Sequence, residues 1–259
     1  MALDAVNKRL SYHVANLQNV GARARQEDSF AFANAFDVKA MRDEGLLFVV
    51  CDGMGGMKDG KVASEAAINV LRNSFFRMNR NADINSQIES AIYEATAEVE
   101  RLLDGQGGST AVVCVIYQDE LYYVSVGDSF LYLKRGNSLV RINAEHNVCN
   151  REDIISIREG NFDPNIGKSD PEANALTQFL GMTGMDEVDR FYRPLHLRKD
   201  DVLLACSDGV GGVLTEEEVF NCLSADNPDI MVDLINNGII AHAKRNQDNY
   251  TALVVKCVM

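Results

Sequence analysis

Four runs rich in β-branched and aromatic residues follow one another with almost nothing between them. They are "STAVVCVIY" from Ser109, "LYYVSV" from Leu121, "SFLYLK" from Ser129 and "LVRI" from Leu139. Side chains of this kind suit a pleated, packed surface, and each run has the length of a strand. The links are Gln118-Asp119-Glu120, Gly127-Asp128 and Arg135-Gly136-Asn137. A parallel crossover needs a dozen or more residues, so links this short imply antiparallel neighbours at all three places.

Helical patterns lie on both sides of this sheet region in sequence. Upstream are "VASEAAINVLRNSFF" from Val62 and an apolar stripe through Ile84, Ile88, Ala91, Ile92, Ala95, Val99 and Leu102, with Asp83 or Asn81 placed to cap its start. Downstream, "TEEEVFNCL" from Thr215 and "PDIMVDLINNGIIAHAKR" from Pro228 read as helices. The apolar runs at 46–51, 201–206 and 250–258 read as buried strands. Helices bracketing an antiparallel sheet imply an α+β layered domain. Residues 147–175 are polar and carry Gly160, Pro164, Gly167 and Pro171, which predicts one short helix and an irregular loop. No repeat or linker divides the chain, so residues 1–259 are expected to form one domain.

The net charge of -13 argues against a nucleic-acid or anionic-membrane surface. Cysteines at 51, 114, 149, 206, 222 and 257 form no CxxC pair and sit mostly in apolar runs, the pattern of buried reduced thiols. "MALDAVNKRLSYHV" lacks a signal peptide's apolar core, and no apolar stretch approaches the ~18 residues of a membrane helix. A cytoplasmic protein is the expectation.

The passage "LLFVVCDGMGGMKDGK" poses the chemical question. Gly55 to Lys61 fits G-x-x-x-x-G-K between a strand and a helix, the setting of a nucleotide phosphate loop. Yet Val62 stands where a Ser or Thr hydroxyl would hold Mg²⁺, and Asp52 would repel a bare phosphate. The antiparallel surroundings are also wrong for that loop. A metal fits better. Asp52, Asp128 and Asp208 each follow a strand and Asp248 precedes one, and strand ends can meet in one cleft. Carboxylates gathered there repel one another unless divalent cations offset them, and hard oxygen ligands favour Mg²⁺ or Mn²⁺. Glycine beside Asp52 lets a backbone carbonyl approach an ion.

Seven stretches taken in order, "RARQED", "DGMGGMKDGKVAS", "GGSTA", "VGDSFLYL", "LTQFLG", "CSDG" and "DN", resemble the metal-dependent type 2C (PPM family) serine/threonine protein phosphatases over about the whole chain. DGMGG rather than DGHGG is similar to the bacterial branch. The resemblance implies a central β-sandwich of two antiparallel sheets flanked by α-helices on both sides, with a flap at about 147–175. It implies that Asp52 bridges two Mn²⁺ or Mg²⁺ ions with the Gly53 carbonyl on one of them. Asp208 and Asp248 would complete one shell, and Glu27 would reach the other ion through water. Asp128 matches the aspartate that holds a third ion together with Asp208. Arg23 falls on the phosphate-binding arginine, with Arg25 the alternative, and Asp28, His146 and Asn249 support the site. The implied reaction is hydrolysis of phosphoserine and phosphothreonine by direct attack of a water between the metals. Phosphoproteins made by a cognate kinase would be the substrates of a monomeric enzyme.

Three departures stand out. Gln26 replaces an Asn, one amide for another. Phe130 replaces an Arg, which reads as a local packing change. Met54 replaces a histidine that acts as general acid in other relatives, which leaves that role to water. His146 fits either direct chemistry or a structural hydrogen bond. A phosphoprotein-binding pseudophosphatase on the same fold is the rival reading, and the retained aspartates oppose it.

Overall fold

Every residue of Leu46–Cys51 is buried, and the residues alternate between two cores: Leu46, Phe48 and Val50 enter one, Leu47, Val49 and Cys51 the other. A strand apolar on both faces must have a packed layer on each side. A computed structural model gives the fold, and the residues it describes are 9–55, 59–161, 163 and 166–259. The strands are β1 (Ser11–Asn19), β2 (Ser29–Ala33), β3 (Leu46–Cys51), β4 (Gly53–Met54), β5 (Gly108–Ser109), β6 (Ala111–Tyr117) and β7 (Glu120–Val126). They continue with β8 (Phe130–Arg135), β9 (Ser138–Arg141), β10 (Asp189–Arg190), β11 (Leu195–His196), β12 (Val202–Cys206) and β13 (Tyr250–Val258). The helices are α1 (Val38–Glu44), α2 (Asp59–Arg77), α3 (Ile84–Leu103), α4 (Val148–Arg158), α5 (Ile166–Ser169), α6 (Asp208–Gly211), α7 (Glu216–Cys222) and α8 (Pro228–His242).

One sheet has the order β1-β13-β12-β8-β9 and the other β10-β7-β6-β3-β2, with β11 also paired to β7. Each pairing within them is antiparallel. Phe48, Val112, Leu131, Leu203 and Leu253 fill the space between the sheets. Helices α2 and α3 cover the outer face of the β3 sheet through residues such as Leu71, Phe75, Ile88 and Ile92. Helices α7 and α8 cover the other through Val219, Met231 and Ile235. The result is the expected four-layer α-β-β-α sandwich. Asp83 caps α3 by accepting from the Asn85 N–H, and Thr215 and Glu218 form a reciprocal capping box on α7.

The structure corrects one link. β6 joins β7 and β8 joins β9 as antiparallel neighbours, but β7 and β8 lie in different sheets. Gly127, at φ +95°, and Asp128 carry the chain across the sandwich instead of around a hairpin. A short link forbids a parallel crossover, but it also permits a corner between two packed sheets.

Candidate metal centre

Strand register brings the predicted residues to one end of the sandwich. Cys51 pairs with Ser29, so Asp52 and Asp28 leave neighbouring strands together. Cys206 pairs with both Ala252 and Phe130, which places Asp208 beside the entry to β13 and beside the corner that carries Asp128. Asn19 pairs with Tyr250, so the turn after β1, with Arg23 and Glu27, faces Asp248. Arg23, Glu27, Asp52, Gly53, Asp128, Asp208, Asp248 and Asn249 accordingly line one cleft of 380 Å³. Arg25 is outside that lining.

The carboxylates manage their charge at close quarters. Burial, with Asp28, Asp208 and Asp128 nearby, pushes Asp52 far above the usual carboxylate range, and it shares a hydrogen bond with Asp208. Asp208 is raised by burial and then by Asp248. Asp128 is pushed up to about 7 by burial, with Asp208 and Glu145 adding to it. Asp28 is fully buried and rises to about 6 by burial, against the hydrogen bonds its Oδ2 accepts from Ser207 and Thr251 at 2.8 and 2.7 Å. Its Oδ1 is buried with no donor among the described residues.

These features fit divalent cations. Several carboxylates share one cleft, a buried oxygen has no donor, and the backbone is pressed close where the resemblance puts a carbonyl ligand. A Cβ on Gly53 would stand 2.1 Å from the Gly60 oxygen and 2.6 Å from that of Glu27, so only glycine allows this approach. Among the described residues no three His, Cys, Asp or Glu side chains close into a finished cage. An open arrangement suits small hard cations, which keep several waters and take few carboxylates directly.

Nearby groups hold the carboxylates in place. Asn249 accepts from the Glu27 N–H at 2.7 Å and donates to the Val20 and Arg25 carbonyls, tying the 20–27 turn to β13. Gln26 donates to the Asn19 carbonyl and accepts from the Asp28 N–H, so its amide serves that turn. Arg23 meets Asp248 Oδ2 at 2.5 Å. His146 is buried with Nδ1 3.3 Å from the Gly127 carbonyl, a hydrogen bond that steadies the corner before Asp128. Phe130 packs, stacked on Tyr132 with the Arg141 guanidinium 4.1 Å above its ring. Met54 lines the cleft.

Three hydroxyl residues absent from the predicted set, Thr110, Ser207 and Thr251, support the carboxylates. Thr110 Oγ1 accepts from the Asp52 N–H at 3.0 Å and bonds Ser129 at 2.7 Å, while Ser207 and Thr251 hold Asp28. Thr110 lies in the quoted "GGSTA" and Ser207 in "CSDG", so those motifs carried the signal. The glycine-rich passage does not serve as a nucleotide loop: Lys61 donates to the Asp28 carbonyl and Ser29 Oγ at 2.9 and 3.0 Å, and the sheet is antiparallel. Residues 56–58 of that passage, and Pro164 of the later loop, lie outside the described residues.

Residues 12–161 match the family model of protein phosphatase 2C. The serine/threonine phosphatase stp of Listeria monocytogenes is 28% identical over 228 residues, covering 83% of this chain and 86% of that protein. The Mycobacterium tuberculosis serine/threonine phosphatase PstP/Ppp superposes with a TM-score of 0.78 at 22% identity, over 96% of this chain and 99% of that one. The catalytic domain of PstP, solved in complex with two manganese ions, gives 0.76 at 22%, over 96% and 100%. At that identity these two likenesses are of fold. The family model spans more than half of the sequence, and the chain belongs to the protein phosphatase 2C family.

Proposed function

We propose that this chain is a metal-dependent protein phosphatase that removes phosphate from phosphoserine and phosphothreonine, with the cleft at the sandwich end as its active site. The observation that carries the reading is the convergence of Asp52, Asp128, Asp208, Asp248 and Glu27 in one cleft, with the cation Arg23 also in its lining. The family and the Listeria relative's phosphatase activity support it. Asp52, the Gly53 carbonyl, Asp208, Asp248 and Glu27 would hold two Mn²⁺ or Mg²⁺ ions, the number in the manganese complex of PstP, and Asp128 with Asp208 a third. Such ions supply Lewis acidity, offsetting phosphate charge and acidifying water near neutral pH.

The protein's own groups bind and orient. Arg23, half exposed at the rim, presents a planar fork to phosphate oxygens. Thr110 fixes the backbone of Asp52, Asp28 lies beside it, and Asn249 anchors the turn bearing Arg23 and Glu27. Met54 cannot donate a proton, so the leaving serine or threonine oxygen takes its proton from water. Residues 147–175 act as a flap on a single domain. Val148 and Cys149 bond back to Ala175 and Ala173, so the excursion closes on itself, and Leu176 at its foot lines the cleft. The substrates are phosphoproteins, including those of a cognate serine/threonine kinase, and the protein acts as a cytoplasmic monomer. Among the described residues no helix is long and apolar enough to cross a membrane.

Hydrolysis of a phosphothreonine peptide and of p-nitrophenyl phosphate, each with Mn²⁺, Mg²⁺ or EDTA, tests the proposal. Turnover with metal and none in EDTA is expected. Peptide binding without turnover under every condition would make the chain a phosphoprotein-binding module instead.

A further inference from the structure

A second cavity of 410 Å³ adjoins the cleft and shares Asp128, Asp208 and Asp248 with it. Beyond those aspartates its walls come from opposite sides. Asn147 and Asn174 belong to the flap, while Lys244 and Asn246 belong to the loop between α8 and β13. Its other acid, Glu145, is neutralised by Arg141 at 3.2 Å. Lys244 is exposed, and its ammonium donates to the Gly212 carbonyl at 3.1 Å, which uses one of three N–H donors and leaves the charge without an ion pair among the described residues. With the aspartates bound to ions, as the proposed function requires, Lys244 is the charge that remains in this cavity.

We infer that the second cavity is a subsite for the substrate residue beside the phosphorylated one, and that Lys244 selects an acidic side chain there. The inference rests on the phosphatase reading and adds a substrate class to it. A peptide whose phosphate occupies the cleft places its next residues within one or two chain steps, each at most ~3.6 Å, and the shared aspartates make the two cavities immediate neighbours. A carboxylate entering the cavity meets the Lys244 ammonium and the amides of Asn174 and Asn246. A Lys or Arg entering it meets an uncompensated like charge.

The test uses phosphothreonine peptides that carry Glu or Gln, one position at a time, within two residues of the phosphothreonine. At one position Glu should raise kcat/KM about threefold over Gln, the scale of a solvent-accessible ion pair. Lys244→Ala should bring that ratio to one, Lys244→Glu should invert it, and Lys244→Arg should keep it. Each ratio is read within one preparation, so partial unfolding of a variant does not alter it. Turnover of p-nitrophenyl phosphate by the wild type establishes the phosphatase reading separately. If no position prefers Glu, or if the preference survives Lys244→Ala, the assignment of Lys244 is overturned; survival would pass the carboxylate to the ions at Asp128.

Discussion

Among the described residues Asp28 has hydroxyl donors on one oxygen and none on the other, and Asp52 crowds it with a second buried carboxyl. Replacing it with Asn keeps an oxygen for Ser207 and Thr251 and gives Asp52 an N–H. Asp28→Asn should therefore stabilise the protein in EDTA by about 1 kcal/mol, the worth of one satisfied buried hydrogen bond. It should also weaken Mn²⁺ binding, because the cluster loses negative charge. Urea unfolding in EDTA and a Mn²⁺ titration check both, and a variant less stable in EDTA would contradict the account. Asp128 gives a prediction in pH. Its pKa is raised to about 7 from an ordinary 3.8, so in the metal-free protein the folded state keeps this proton while the unfolded chain releases it. The folded state binds more protons between these values, and the contribution of Asp128 to stability falls as pH rises through that window. The unfolding midpoint of Asp128→Asn in EDTA should gain on the wild type from about pH 4 to about pH 7. A constant difference across that range would show that the carboxyl is solvated.

Between elements, the tightest contact near the site is where α6 meets β13. A Cβ on Gly209 would stand 1.9 Å from the Asn249 carbonyl oxygen, so Gly209→Ala must push back the backbone that carries Asp248 and Asn249. A loss of about 1–3 kcal/mol is expected from such overpacking, together with weaker Mn²⁺ binding. An unchanged melting temperature and metal affinity would show that β13 yields without moving its carboxylate. The same scale explains what could be read from sequence. Strands β3, β6 and β12 are buried on both faces, so each reads as a continuous apolar run. Strand β1, "SYHVANLQN", is a sheet edge with polar residues facing solvent, and α1 buries no residue, so neither carries a strong pattern. Aspartates at strand ends were legible because strand ends can meet. Thr110, Ser207 and Thr251 were not, since a hydroxyl that holds a carboxylate has no period of its own. The length of the Gly127-Asp128 link limits direction and leaves sheet membership open, so the corner has no signal in the sequence.

At the scale of the whole molecule, the proposed ligands come from both halves of the sandwich. Asp52 and Glu27 flank β3 and β2 of one sheet, whereas Asp208 and Asp248 flank β12 and β13 of the other. Ions held among them would join the two sheets at the end where the corner at Asp128 already crosses. The flap and the loop carrying Lys244 stand over that junction, so substrate selection and metal binding share one end of the fold. Equilibrium dialysis of the intact chain against Mn²⁺ counts the bound ions without requiring a substrate. At least two ions per wild-type chain are expected, with loss of tight binding in Asp52→Asn, whose carboxyl interacts with Asp28, Asp128 and Asp208. A wild-type chain that binds no Mn²⁺, or an Asp52→Asn chain that binds as many ions with equal affinity, would contradict the proposed metal centre.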